Sequence, residues 1–193
     1  KEVAIERNTI QPMAAIDFVN PNTPAQSIPA DNQIWYTATK KAEPNLTDKY
    51  AFGANLISNE WDSETGKGII TFDGNVTMVG FQAFDNCDNF ITINLPDSVT
   101  EIGWYAFWGC DSLTSVTIPD SVTTIEKEAF EYCTSLTSVN IPDSVTTIGE
   151  YAFSRCSSLK SVNIPDSVTT IGKGTFSYCK SLTSVNIGDS VTT

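Results

Sequence analysis

Histidine is missing from all 193 residues. Its absence removes the commonest general base, the usual partner of a nucleophilic serine or cysteine, and the commonest nitrogen ligand for a metal. Basic residues are also few, 11 against 23 acidic ones, for a net charge of -12. A nucleic-acid backbone or an anionic membrane surface would be repelled by such a chain. No apolar run approaches the roughly 18 residues needed to cross a bilayer, and no charged-then-apolar leader opens the sequence. The first residue is Lys1 rather than Met, which suggests a mature or trimmed product, any export signal having been removed ahead of it. Neither C-x-x-C, G-x-S-x-G, a phosphate-binding glycine loop nor a dinucleotide fingerprint occurs.

What the sequence does have is a period. Cys87, Cys110, Cys133, Cys156 and Cys179 are each separated by 23 residues. The same step joins Phe84, Phe107, Phe130, Phe153 and Phe176, then Val79, Ile102, Ile125, Ile148 and Ile171, then Val76, Val99, Val122, Val145, Val168 and Val191. Such a period marks stacked supersecondary units, none of which can bury its apolar face alone. Within one unit, Val116-Thr117-Ile118 alternates as a short strand, and Pro119-Asp120 stops it because proline lacks a ladder N–H and aspartate closes turns. Val122 to Ile125 make a second extended leg. The stretch around Ala129-Phe130 predicts one helical turn that lays Phe130 into the core.

These repeated P-D-S-V-T-x-I and A-F-x-x-C signatures, over residues 76–193, resemble the BspA-like leucine-rich-repeat family of surface proteins from Bacteroides-type anaerobes and other microbes. The resemblance implies an α/β, strand-dominated, right-handed leucine-rich-repeat solenoid with short helical turns, of about five repeats, the last incomplete. Ser98, Ser121, Ser144 and Ser167 stand where the general leucine-rich pattern has asparagine, which argues against tight horseshoe curvature. Ahead of the repeats, the proline-bearing residues 1–33 read as an extended tether. Residues 34–75 read as a small antiparallel β-sheet capping the N-terminus, with strands at Ile34–Thr39, Ala54–Trp61 and Gly68–Phe72 and with Trp35, Phe52 or Trp61 buried against the first repeat. At the other end the chain stops within a repeat. Either the native protein continues, or Ile187 and Val191 meet another chain in a homodimer.

The family resemblance implies a secreted or cell-surface module that binds a host or microbial protein or glycan, with no cofactor and no metal. Repeating columns are scaffold, whereas varying columns are free to carry recognition. Two regions are candidate binding surfaces. One is the uncharged strand face of Ser115, Thr117, Ser138, Asn140, Ser161 and Asn163. The other is the aromatic group Trp104, Tyr105, Trp108, Tyr132 and Tyr151, which reads equally as a contact surface or as packing against the N-terminal cap. The D-S-V segments resemble acceptors for bacterial O-glycosylation, at Ser98, Ser121, Ser144 and Ser167, although turn formation explains them too. Asn45-Leu46-Thr47 and Asn75-Val76-Thr77 are eukaryotic-type sequons and read as accidental. Asp97, Asp120, Asp143 and Asp166 recur in every unit, which favours a turn role over a catalytic one. Side chains in a parallel ladder point the same way, so the five cysteines read as buried free thiols rather than bridges. A structural spacer is the alternative function, and a carbohydrate-active enzyme a remote third.

Overall fold

A computed structural model describes residues 28–45 and 51–192. The chain forms a strand-dominated solenoid of about five turns. Its N-terminal strands β1 (Gln33–Ala38), β2 (Leu56–Trp61) and β3 (Lys67–Phe72) pair antiparallel. Then come β4 (Met78–Val79), β5 (Phe90–Asn94), β6 (Glu101–Ile102), β7 (Ser115–Thr117), β8 (Thr124–Ile125), β9 (Thr147–Ile148), β10 (Ser161–Ile164), β11 (Thr170–Ile171) and β12 (Ser184–Ile187). β4, β6, β8, β9 and β11 make one parallel sheet in chain order, each residue facing its copy one period on, as Ile102 faces Ile125.

The second side of the coil begins with the order β2-β3-β1-β5-β7 and resumes with β10 beside β12. Between them, residues 136–141 form the corresponding leg without regular strand pairing, yet Leu136, Val139 and Ile141 stay buried. Strand β1 is the joint: it pairs antiparallel with both β3 and β5. Behind it, Phe52 packs 4.9 Å from Phe72 and 5.3 Å from Phe84, so the N-terminal sheet and the first coil share one core. Phe52 is therefore buried and Trp61 packs partly buried against the core. Trp35 does not point inward. It alternates with the buried Ile34 and Tyr36 and lies on the opposite face of the sheet.

The third side of each coil corrects the expected helical turn. Among the described residues there is no helix. Glu128 and Tyr132 hold φ of 57° and 64°, and equivalent positions repeat this left-handed geometry in each coil. A helix spends every N–H along its own axis. Here the N–H groups of Glu128, Phe130 and Tyr132 instead donate to the carbonyls of Glu150, Ala152 and Ser154 in the next coil, while Ala129, Glu131 and Cys133 close local turns three residues back. Dividing the donors in this way ties coil to coil on the side that has no strands.

Inside, Phe84, Phe107, Phe130, Phe153 and Phe176 form a column with ring centroids 5.0 to 5.8 Å apart and planes within 18° of parallel. Isolated aromatic pairs often choose an edge-to-face arrangement, but the rung spacing of about 4.8 Å leaves room only for offset stacking. The P-D-S-V corners are closed by backbone, not by aspartate: Val122 N–H donates to Pro119 O at 3.1 Å and Val145 N–H to Pro142 O at 3.0 Å. The prolines at these corners are buried, whereas the aspartates are exposed.

Candidate functional surfaces

Strand alternation sets the first surface. Because Val116, Val139 and Val162 point inward, their neighbours Ser115, Thr117, Ser138, Asn140, Ser161 and Asn163 all lie exposed on one face. Side chains on this face bond up the stack: Thr117 Oγ1 donates to Asn94 Oδ1 at 2.9 Å, and Asn186 Nδ2 to Asn163 Oδ1 at 2.7 Å. The face runs onto the N-terminal sheet, where Thr37 and Thr92 hydroxyls meet at 2.8 Å and Trp35 lies opposite Asn94.

The aromatic group read from the sequence separates into two sets of contacts. In the first, Trp104 is 52% exposed and Phe81 47%, and the Trp104 indole N–H donates to Glu126 Oε2 at 2.7 Å. Tyr105 meets Phe81 edge to face at 6.1 Å. These residues border a hollow of about 340 Å³ lined by Met78, Phe81, Glu101, Trp104 and Glu126. Trp104 faces solvent, so packing against the N-terminal sheet does not account for it. Phe81 was missed by sequence reasoning, although it stands one period before Trp104.

Trp108 belongs to the second set. Its ring meets Tyr132 at 5.3 Å, and its indole N–H donates to Glu131 Oε2 at 3.3 Å. The guanidinium of Arg155 lies 4.9 Å from the Tyr132 ring and 4.6 Å from that of Tyr178. Arg155 and Tyr178 were also missed, and they too continue the Tyr132 column by whole periods. Burial and a shared hydrogen bond with Glu128 push the Glu131 carboxyl above its ordinary range, against the pull of Ser154 and Trp108. Tyr151 joins neither set: it is half-buried, and its ring lies over Gly174, where a Cβ would meet Cδ1 at 2.7 Å.

The D-S-V serines sit beneath the corners. Ser98, Ser121 and Ser144 donate to the carbonyls of Val76, Val99 and Val122 at 2.8, 2.5 and 2.6 Å. The geometry therefore gives these hydroxyls a structural role as a ladder, and a sugar on the oxygen would take the proton that makes it. Ser167, at the same corner, is buried at its oxygen without a partner among the described residues. All five cysteines are free and buried. Cys110, Cys133, Cys156 and Cys179 each donate the thiol proton to a phenylalanine carbonyl 26 residues back, at 3.1 to 3.2 Å.

The family profile described as "BspA type Leucine rich repeat region" matches residues 69–193 in six copies. Among solved structures, the chain is similar to a leucine-rich repeat protein of T. pallidum at 40% identity, over 60% of this chain and 54% of that one, with a TM-score of 0.58. It is similar to one from Bacteroides ovatus at 30% identity, over 79% and 41%, with a TM-score of 0.60. A leucine-rich cell surface protein of Faecalibacterium prausnitzii matches at 39% identity, over 71% and 35%, with a TM-score of 0.57. The chain thus spans about half or less of the length of these proteins. No curated protein matches it.

Proposed function

Because the chain belongs to the BspA-type leucine-rich repeat family, we propose that it is a non-enzymatic, exported binding module that holds a protein or glycan partner on its outer repeat surface. The supporting observation is Trp104, half exposed beside the similarly exposed Phe81, on a scaffold whose phenylalanine column from Phe84 to Phe153 is fully buried. Leaving indole and phenyl rings wet forfeits the burial free energy they would gain in a core, of the order of 2 kcal/mol each. A partner that covers them recovers it. On this reading residues 34–75 act as the N-terminal cap and residues 76–193 as the repeat array. Of the tether 1–33, residues 1–27 lie outside the described residues, as does part of the sequon at Asn45. The match to a cell surface protein supports the surface location.

Replacing Phe81 and Trp104 together by alanine is expected to weaken capture of surface proteins or glycans at least tenfold while leaving the thermal unfolding temperature within a few degrees. A double variant that folds and still captures every partner of the parent chain would remove this surface from the proposal. The strand face favours a second reading. Its columns are uniform and bond to one another, as a spacer carrying another domain would require. Val185 and Ile187 on β12 are 38% and 54% exposed and would be covered by a further coil or by a second copy of the chain. Sedimentation velocity is expected to show dimer at high concentration if the second copy is the occupant; monomer throughout excludes it.

A further inference from the structure

A groove of about 460 Å³ runs along the turn side between two columns, with Tyr132, Arg155 and Tyr178 on one wall and Thr134, Ser157 and Lys180 on the other. In a chain of net charge -12, this groove is lined by two of the 11 basic residues and by none of the 23 acidic ones. The lining itself is therefore cationic, with Glu131 pairing Arg155 from beside it.

The Arg155 side chain is 42% exposed, and its Nε lies 3.9 Å from Glu131 Oε1. The two tyrosine rings hold its plane in place. Among the described residues its terminal amino groups make no hydrogen bond, so their N–H donors remain available as a fork for a carboxylate or sulfate. Lys180 is exposed and forms no ion pair among the described residues.

The backbone supplies a separate argument. Tyr132, Arg155 and Tyr178 all sit in the left-handed region, at φ of 64°, 61° and 61°, which L residues enter at a cost. The same position in an earlier coil is Gly109, at φ of 68°, so the fold accepts glycine there. Three bulky side chains are therefore held where the coil does not require them. On the opposite wall the Ser157 hydroxyl spends its proton on Thr134 O at 3.2 Å, leaving its oxygen free to accept.

We propose that this groove binds an acidic oligosaccharide, its carboxylate or sulfate ester held by Arg155 and Lys180 and its sugar hydroxyls met by the phenol groups of Tyr132 and Tyr178. The inference rests on reading the outer repeat surface as a binding surface. Tyr132 and Tyr178 stand two coils apart, about 9.6 Å at the rung spacing of stacked strands, close to the advance of two pyranose units in an extended chain. A row of phenol and hydroxyl groups suits the many hydroxyls of a sugar chain better than it suits an acidic peptide.

Isothermal titration calorimetry of the whole chain tests this with four probes: an oligogalacturonate, a chondroitin sulfate hexasaccharide, neutral cellohexaose and a hexaglutamate peptide. At least one acidic sugar is expected to bind, more weakly as salt rises, and the two acidic probes separate carboxylate from sulfate recognition. Arg155→Gln and Tyr178→Ala are each expected to lower that affinity tenfold or more, with Arg155→Lys retaining part of it; circular dichroism and thermal unfolding verify that each variant folds. Undiminished binding in folded Arg155→Gln overturns the proposal. So does cellohexaose or hexaglutamate binding as tightly as the acidic sugars, or no acidic sugar binding at all. If the groove fails in this way while the Phe81 and Trp104 variant still loses partner capture, the acidic-sugar site falls and the binding-module reading stands.

Discussion

Cys133 lies fully buried, with neighbours Cys110 and Cys156 in the same column and its thiol proton directed at Phe107 O. Burial, then the neighbouring Cys110, pushes this thiol well above its ordinary value of 9.0. Burial likewise raises Cys156, and Cys87 is pushed up to about 12, again chiefly by burial. A group whose folded pKa is raised contributes stability that is full below its unfolded pKa and lost as pH climbs through the folded one. The window therefore opens near 9.0 and extends toward 12 at Cys87. Urea midpoints are expected to fall between about pH 8 and about pH 10, and to fall less steeply in a Cys133→Ala, Cys156→Ala double variant. An identical slope in the two proteins would show that the thiols are not responsible. The spacing and odd number of the cysteines already pointed to free thiols. Their hydrogen bond to a phenylalanine carbonyl did not show in the sequence, because it depends on how far one coil is displaced along the next.

The corners show how short elements are made durable. A leg of two residues such as β8 has little intrinsic stability, and much of what holds it comes from its neighbours above and below. Ser144 adds one such tie by donating to Val122 O at 2.6 Å. Ser144→Ala is expected to destabilise the fold by about 1 kcal/mol in urea unfolding, the usual net worth of one hydrogen bond. Ser190 occupies the same corner in the final described coil, is exposed and makes no hydrogen bond among the described residues. Ser190→Ala should therefore leave the midpoint unchanged, and equal losses in the two variants would refute the ladder. The strands were legible as elements, since Val116 and its copies alternate with polar residues. The supposed helical turn was not. A-F-x-x-C is apolar enough for one, but the left-handed residues around it send alternate donors to the next coil, and a single repeat carries no signal of that partner.

At the scale of the molecule, each coil is a near copy whose bonds run mainly to adjacent copies, as the ladder Thr100 to Thr77, Thr123 to Thr100, Thr146 to Thr123 and Thr169 to Thr146 illustrates. Excising residues 123–145 removes one whole period and joins Val122 to Thr146, so each remaining column keeps its register. That chain is expected to unfold cooperatively, with a urea m-value lowered by roughly a fifth or less, in line with the surface lost. Excising one residue fewer displaces every column beyond the junction and should sharply lower the unfolding temperature. Equal stability of the two deletions would mean that column register does not hold the stack together.

The division between what was legible and what was not follows from the same register. A period of 23 residues makes like side chains meet, so the inward columns of Phe, Ile, Val and Cys could be read from spacing alone, while the P-D-S-V-T-x-I and A-F-x-x-C signatures carried the resemblance to the family. Distances along the stack are fixed by that period. What the period does not state is where each outward side chain points around the coil. Trp104 and Trp108 are four residues apart in the chain, yet they keep different company: Trp104 shares a hollow with Phe81, and Trp108 meets Tyr132, whose ring also lies against Arg155. Which of these residues share a surface was decided by the left-handed turns, because they set the direction of each side chain through contacts with the next coil and not through their own sequence.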